Sequence, residues 1–111
     1  DTLSGGAGED FLFGNVDDDV LDGGADEDSL FGGRNADQFV LREGDGRDTI
    51  FDYQDGTDSF LLADGLAFED LTITQGFGQS LISVTDTSED LAVLFGVNAN
   101  DLGAEDFSTL V

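Results

Sequence analysis

The chain has 111 residues with 26 acids, three Arg and no Lys, a formal net charge of −23. Such a chain has no basic patch to meet nucleic-acid phosphates. It also has no Cys and no His, which excludes disulfides, thiolate or imidazole metal sites, and catalysis by a His, Cys or Lys base or nucleophile.

Hydrophobic residues still make up 39% of the chain, ten of them Phe. The balance predicts a chain that is disordered without a counterion and folded with one. No run approaches transmembrane length, and no N-terminal signal peptide is apparent.

Along the chain, residues 5–13, 14–22, 23–31 and 32–40 repeat one nine-residue pattern. Position 1 is Gly in every copy. Position 6 is Asp: Asp10, Asp19, Asp28 and Asp37. Position 8 is a large apolar residue: Leu12, Leu21, Leu30 and Phe39, with Leu3 ahead of them. Six small or turn-forming residues predict a turn, and the last three a short strand. Nine residues then make half a turn of a flattened coil and eighteen a full one, so stacked copies bury a column of position-8 side chains. Position 2 reads Gly6, Asn15, Gly24, Gly33, and position 4 reads Gly8, Asp17, Asp26, Asn35. Asn and Asp are the residues that best tolerate a left-handed backbone, which predicts positive φ at both positions.

The pattern continues imperfectly over residues 41–61. Leu41-Arg42 is a small insertion, Asp48 and Ile50 keep the sixth and eighth roles, and Asp58 and Phe60 close the series. From residue 62 glycine thins out. Alternating β-formers at 71–74, 81–85 and 91–95, separated by turns at 76–79 and 86–90, predict an antiparallel meander that caps the coil. A short helical turn is expected over 98–102 with Asn98 as its N-cap. Two regions follow: a repeat region, 1–61, and a C-terminal capping region, 62–111.

The acids point to a hard cation. Calcium takes six to eight oxygen ligands from carboxylates and carbonyls. Copies eighteen residues apart share an edge, so Asp10 should face Asp28, and Asp19 should face Asp1 and Asp37. Carbonyls at positions 2 and 4 should join them. The predicted metal set is therefore Asp1, Gly6, Gly8, Asp10, Asn15, Asp17, Asp19, Gly24, Asp26, Asp28, Gly33, Asn35, Asp37, Asp48 and Asp58. Asp45, Asp52 and Asp55 are candidates at the irregular end. Turn capping by Asx hydrogen bonds explains single acids, but not Asp17-Asp18-Asp19 side by side, which repel without a cation among them. Glu9, Asp18 and Glu27 at position 5 are read as a solvated face. No stretch fits an EF-hand loop, and magnesium prefers small octahedral sites that keep water. Pairing two of so many carboxylates as a glycosidase site would be arbitrary, so no enzymatic role is assigned.

These copies resemble the calcium-binding nonapeptide of RTX, or haemolysin-type, proteins. The resemblance implies an all-β fold: a parallel β-roll, a two-sheet solenoid of nonapeptide repeats, capped by an antiparallel C-terminal β meander. It implies several calcium ions, and type I secretion to the outside of a Gram-negative bacterium. Residues 105–111, acidic and then apolar apart from Ser108 and Thr109, are similar to the family's uncleaved export signal; an ordinary last strand explains them equally. The chain begins within a repeat, as a piece of a longer protein would. Three roles are open: an export and folding module of a larger secreted enzyme, toxin or adhesin; a structural subunit that stacks into a fibre or surface layer; or a binding module.

Strand alternation sorts the outward side chains. One sheet should carry Thr2, Ser4, Val20, Asp22, Gln38 and Val40, and the other Phe11, Phe13, Ser29 and Phe31, continued by Phe51. Either the C-terminal region folds back over these aromatics, or a second copy, a filament neighbour or a parent domain covers Phe11, Phe13 and Phe31.

Overall fold

Each predicted repeat strand forms in the computed structural model, which describes residues 2–44, 46–54, 57–63 and 65–109. The predictions for Asp1, Asp45 and Asp55 lie outside the described residues. The repeat strands are β1 (Thr2–Ser4), β2 (Phe11–Phe13), β3 (Val20–Asp22), β4 (Ser29–Phe31), β5 (Gln38–Leu41), β6 (Asp48–Ile50) and β7 (Ser59–Leu62). They alternate between two sheets and pair in parallel within each. Leu3 lies opposite Leu21, Leu21 opposite Phe39 and Phe39 opposite Phe60 in one sheet. Leu12 lies opposite Leu30, and Leu30 opposite Ile50, in the other. Position 8 therefore builds the core: Leu21, Leu30, Phe39, Ile50 and Phe60 are fully buried. Burying each such side chain contributes about 1.5–3 kcal/mol.

The backbone follows the expected signs. Position 2 has φ of +79°, +71°, +82° and +84° at Gly6, Asn15, Gly24 and Gly33. Position 4 has +90°, +76°, +71° and +74° at Gly8, Asp17, Asp26 and Asn35.

The C-terminal strands are β8 (Leu71–Gln75), β9 (Gln79–Val84), β10 (Asp90–Phe95) and β11 (Phe107–Thr109). The meander β8–β9–β10 is antiparallel, as predicted. It joins the roll edge to edge: β10 pairs in parallel with β6, and β11 in parallel with β7. The sheets run β1-β3-β5-β7-β11 and β2-β4-β6-β10-β9-β8. Leu94 takes the place opposite Ile50 that a further repeat's apolar residue would take. One hydrophobic cluster accordingly runs from Leu21 through Ile50 and Phe60 to Leu94 and Phe107. The predicted helical turn is a 3-10 turn at Ala99–Asp101, capped by Asn98 Oδ1, which accepts the Asn100 N–H at 3.0 Å.

The outward aromatics are not folded over by the C-terminal region. Phe95 of β10 instead extends their row, and Phe11, Phe13, Phe51 and Phe95 stay exposed. On the other sheet Val40, expected outside, is buried opposite Leu61.

Candidate metal centre

The turns of the roll stack at eighteen-residue spacing, and the position-6 aspartates join one turn to the next. Asp28 Oδ1 accepts the Asp10 N–H at 2.7 Å, and Asp48 Oδ1 accepts the Asp28 N–H at 3.1 Å. Asp37 Oδ1 accepts the Asp19 N–H at 2.9 Å, and Asp58 Oδ1 accepts the Asp37 N–H at 2.9 Å. Two columns result, Asp10-Asp28-Asp48 along one edge and Asp19-Asp37-Asp58 along the other. The insertions between the later repeats are absorbed without loss of phase.

The second carboxylate oxygen is the informative one. Among the described residues, Oδ2 of Asp10, Asp28 and Asp37 is buried and meets no hydrogen-bond donor. Such an atom is costly to bury, and more so when charged. Desolvation accordingly raises the Asp37 carboxyl to about 6, opposed by the Asp19 N–H and reinforced by the charges of Asp58, Asp19 and Asp52. Asp28 and Asp58 are pushed up as well, in both cases chiefly by desolvation. Asp28 and Asp37 are each held in place by Oδ1 and have no donor for Oδ2 among the described residues.

Position 1 supplies a second oxygen at the same points. A Cβ added to Gly5 would lie 2.6 Å from Asp10 Oδ2 and 2.7 Å from the Gly23 carbonyl oxygen. At Gly14 it would lie 2.8 Å from Asp19 Oδ2 and 2.5 Å from the Gly32 carbonyl oxygen. Neither glycine has positive φ. Position 1 is therefore glycine for space, and the space is where a carboxylate and a carbonyl of the next turn converge. Sequence reasoning named carbonyls at positions 2 and 4 and missed those at position 1. The signal was present: Gly without exception, where positions 2 and 4 accept Asn or Asp.

At positions 2 and 4 the polar groups also link turns. The Asn15 carbonyl accepts the Arg34 N–H at 2.8 Å. Asp26 Oδ2 accepts the Gly8 N–H at 2.9 Å, and Asn35 Oδ1 accepts the Asp17 N–H at 3.1 Å. At position 4 the ladder thus uses side-chain oxygens, whereas at position 2 it uses the Asn15 backbone carbonyl. Among the described residues no three acidic side chains gather at one point. Facing pairs of carboxylates leave a calcium shell incomplete, and backbone carbonyls and water are the oxygens available to fill it. The donor set, all oxygen and largely carbonyl, fits calcium.

The model of the RTX calcium-binding nonapeptide repeat (four copies) matches residues 4–39 and 13–50. Residues 4–50 are RTX calcium-binding repeats. No curated protein sequence is significantly similar to the chain. Solved structures share the RTX β-roll. The AlgE6R3 subunit of the Azotobacter vinelandii mannuronan C5-epimerase aligns with a TM-score of 0.70 and 25% identity, over 96% of this chain and 71% of that one. The AlgE6R2 subunit of the same enzyme gives 0.70 and 27%, over 96% and 86%. The extracellular lipase LipA of Serratia marcescens gives 0.63 and 22%, over 96% of this chain and 20% of its own.

The RTX pattern ends in protein-made contacts. Asp52 places Oδ1 on the Gly32 N–H and Oδ2 on the Gly33 N–H, both at 2.8 Å. Asp58 Oδ2 accepts the Gln54 N–H at 2.9 Å. Tyr53 Oη donates to the Asp58 carbonyl at 2.9 Å and lies 3.2 Å from Asp106 Oδ1. At position 5, Glu9, Asp18 and Glu27 are exposed as expected, although Asp18 Oδ1 also accepts the Ala36 N–H at 2.9 Å. The Arg42–Asp22 pair at 3.2 Å and the Arg47–Asp90 pair at 3.7 Å lie off both columns.

Proposed function

We propose that this RTX chain is a secreted module that extracellular calcium switches from an unfolded to a folded, assembly-competent state. The observation that carries the reading is the row of buried, donor-less Oδ2 atoms on Asp10, Asp28 and Asp37. Calcium ions between successive turns would be held by Asp10, Asp19, Asp28, Asp37 and Asp48, with carbonyls of positions 1, 2 and 4. Asp58 is the weakest ligand of the set, because N–H groups already meet both its oxygens. If about five ions bind, they offset roughly ten of the charges. Where calcium is scarce the carboxylates repel and the chain stays open for export; outside, calcium binds the folded form and stabilises it by mass action. Residues 1–61 act as the calcium-dependent roll and residues 62–111 as its cap, within a structural subunit of a fibre or surface layer.

A second reading has its own support. The matching region is only 20% of the extracellular lipase, which favours a folding and type I export module carried by a larger secreted enzyme, toxin or adhesin. A catalytic domain encoded upstream of Asp1 would decide for it. No helix among the described residues is long and apolar enough to cross a membrane.

Circular dichroism in chelator, millimolar calcium and millimolar magnesium tests the switch. The expected result is a large gain of β-structure with calcium, and none with magnesium, over the residual structure of the C-terminal meander. Equal β-content in all three overturns it.

A further inference from the structure

The outside of the sheet built from β2, β4, β6 and β10 carries a ladder of phenylalanines. Phe13 stacks on Phe31 and Phe31 on Phe51, each with centroids 4.7 Å apart and planes 7° apart. Phe95 continues the row at 5.4 Å from Phe51. Phe11 stands beside it, 70% exposed, and Phe13 is 51% exposed. The C-terminal region lengthens this row and leaves it open.

The charge on this face matters as much as its aromatics. The outward residues of β2, β4 and β6 are Phe11, Phe13, Ser29, Phe31 and Thr49, none of them charged. The nearby acid at the margin, Asp90, is paired with Arg47 at 3.7 Å. In a chain of net charge −23, β2 and β4 hold no charged residue, and the one acid of β6, Asp48, is buried. An exposed apolar face of this kind marks an interaction site. A basic partner would be drawn to the rims. A second copy gains from this face because it brings an identical uncharged surface and no carboxylate to the contact.

We propose that two copies of this chain pair face to face through the Phe13-Phe31-Phe51-Phe95 ladder, around a two-fold axis. A two-fold interface is self-complementary, each ladder meeting the other. The inference rests on the calcium-switch reading: without ions in the turns, the acidic rims repel and the ladder is not assembled. Six strands about 4.8 Å apart make the face roughly 24 Å wide. That is small beside a standard interface, so the pair is a weak and reversible one.

Sedimentation velocity on the calcium-loaded chain, over a concentration series, tests this alongside circular dichroism on the same samples. The expected result is a concentration-dependent doubling of the 11.7 kDa mass. Ser29→Asp and Thr49→Asp each place a carboxylate on the face without touching the core, and should abolish pairing while β-content stays at the wild-type level. Phe31→Ser with Phe51→Ser should do the same; if that variant fails to fold, the two Asp variants still decide. Val20→Ser, on the other sheet, should pair like wild type. A chain that folds with calcium yet stays monomeric to several hundred micromolar overturns the pairing and spares the switch. Failure to gain β-structure with calcium overturns the switch itself. Asp variants that fold and still pair also overturn the pairing.

Discussion

The two ends of the roll solve one problem in different ways. Between the early turns, Asp10, Asp28 and Asp37 each bury an oxygen with no donor. At the last turn, Asp58 has Asp37 and Gln54 N–H groups on its two oxygens, and Asp52 is bound by Gly32 and Gly33. Beyond it, Tyr53, Asp106 and the rings of Phe60 and Phe107, 5.0 Å apart, tie the C-terminal region to the repeats. The first region needs an ion for its carboxylates; the second is satisfied by its own backbone and side chains. Calcium dependence should therefore fade along the chain.

The largest expected effect breaks the comparison outright. Chelation should melt the early turns while the meander keeps residual structure. Hydrogen exchange resolved by residue should show lost protection at the Ser29 and Gln38 amides, which bridge to Asp10 and Asp19, and retained protection at Val84 and Gly96. Uniform loss or uniform retention would remove the distinction.

Next in size is Asp28→Ala. It removes a proposed ligand and a turn-to-turn acceptor together, and should raise the calcium midpoint of folding at least tenfold. Glu27→Ala, one residue away and exposed, should leave the midpoint within about twofold. Equal midpoints in a calcium titration would reject the column assignment.

Gly14→Ala sharpens the role of position 1. The new Cβ would crowd the Gly32 carbonyl and Asp19 Oδ2, an overpacking cost of about 1–3 kcal/mol, with weaker calcium binding added. Gly96, with φ of +77° and open space around it, is a control: Gly96→Ala should cost about 1 kcal/mol and leave the calcium midpoint unchanged. Thermal melts at two calcium concentrations separate the two effects.

The smallest effect concerns pH. Asp28, Asp37 and Asp58 have raised carboxyl values in the ion-free fold, Asp37 to about 6. The folded chain then holds more protons than the unfolded one between the ordinary carboxylate range and pH 6. Its stability without calcium is greatest below that range and falls as pH rises through about 6. Acid should thus partly replace calcium, and chelated samples should gain β-structure from pH 7 to pH 4.5. No gain would show that the columns stay apart without metal.

Much of this was legible because the repeat writes one local conformation several times. Asn15, Asp17, Asp26 and Asn35 disclosed the positive φ positions, and Leu12, Leu21, Leu30 and Phe39 the core. What escaped, beyond the facing aspartates, was the detail of contacts between residues far apart in sequence. The position-1 carbonyls matter because Gly23 approaches the Gly5–Asp10 turn from eighteen residues away. The clamp made by Asp52 depends on where Gly32 lies. The meander was read correctly as antiparallel, yet nothing local says that β10 seeks β6 or β11 seeks β7. Those partners follow from which sheet edges the last repeats leave open.

Alternation between two sheets gives the repeat number a parity. Adding or removing eighteen residues shifts every later strand by one place in its own sheet, and β10 and β11 still find the edges they need. A change of nine ahead of β6 leaves β10 and β11 on the same two partners but moves the earlier strands to the opposite sheets, so the phenylalanine-bearing face would be interrupted. The aromatic row therefore stays continuous only when the length of the roll changes in even steps.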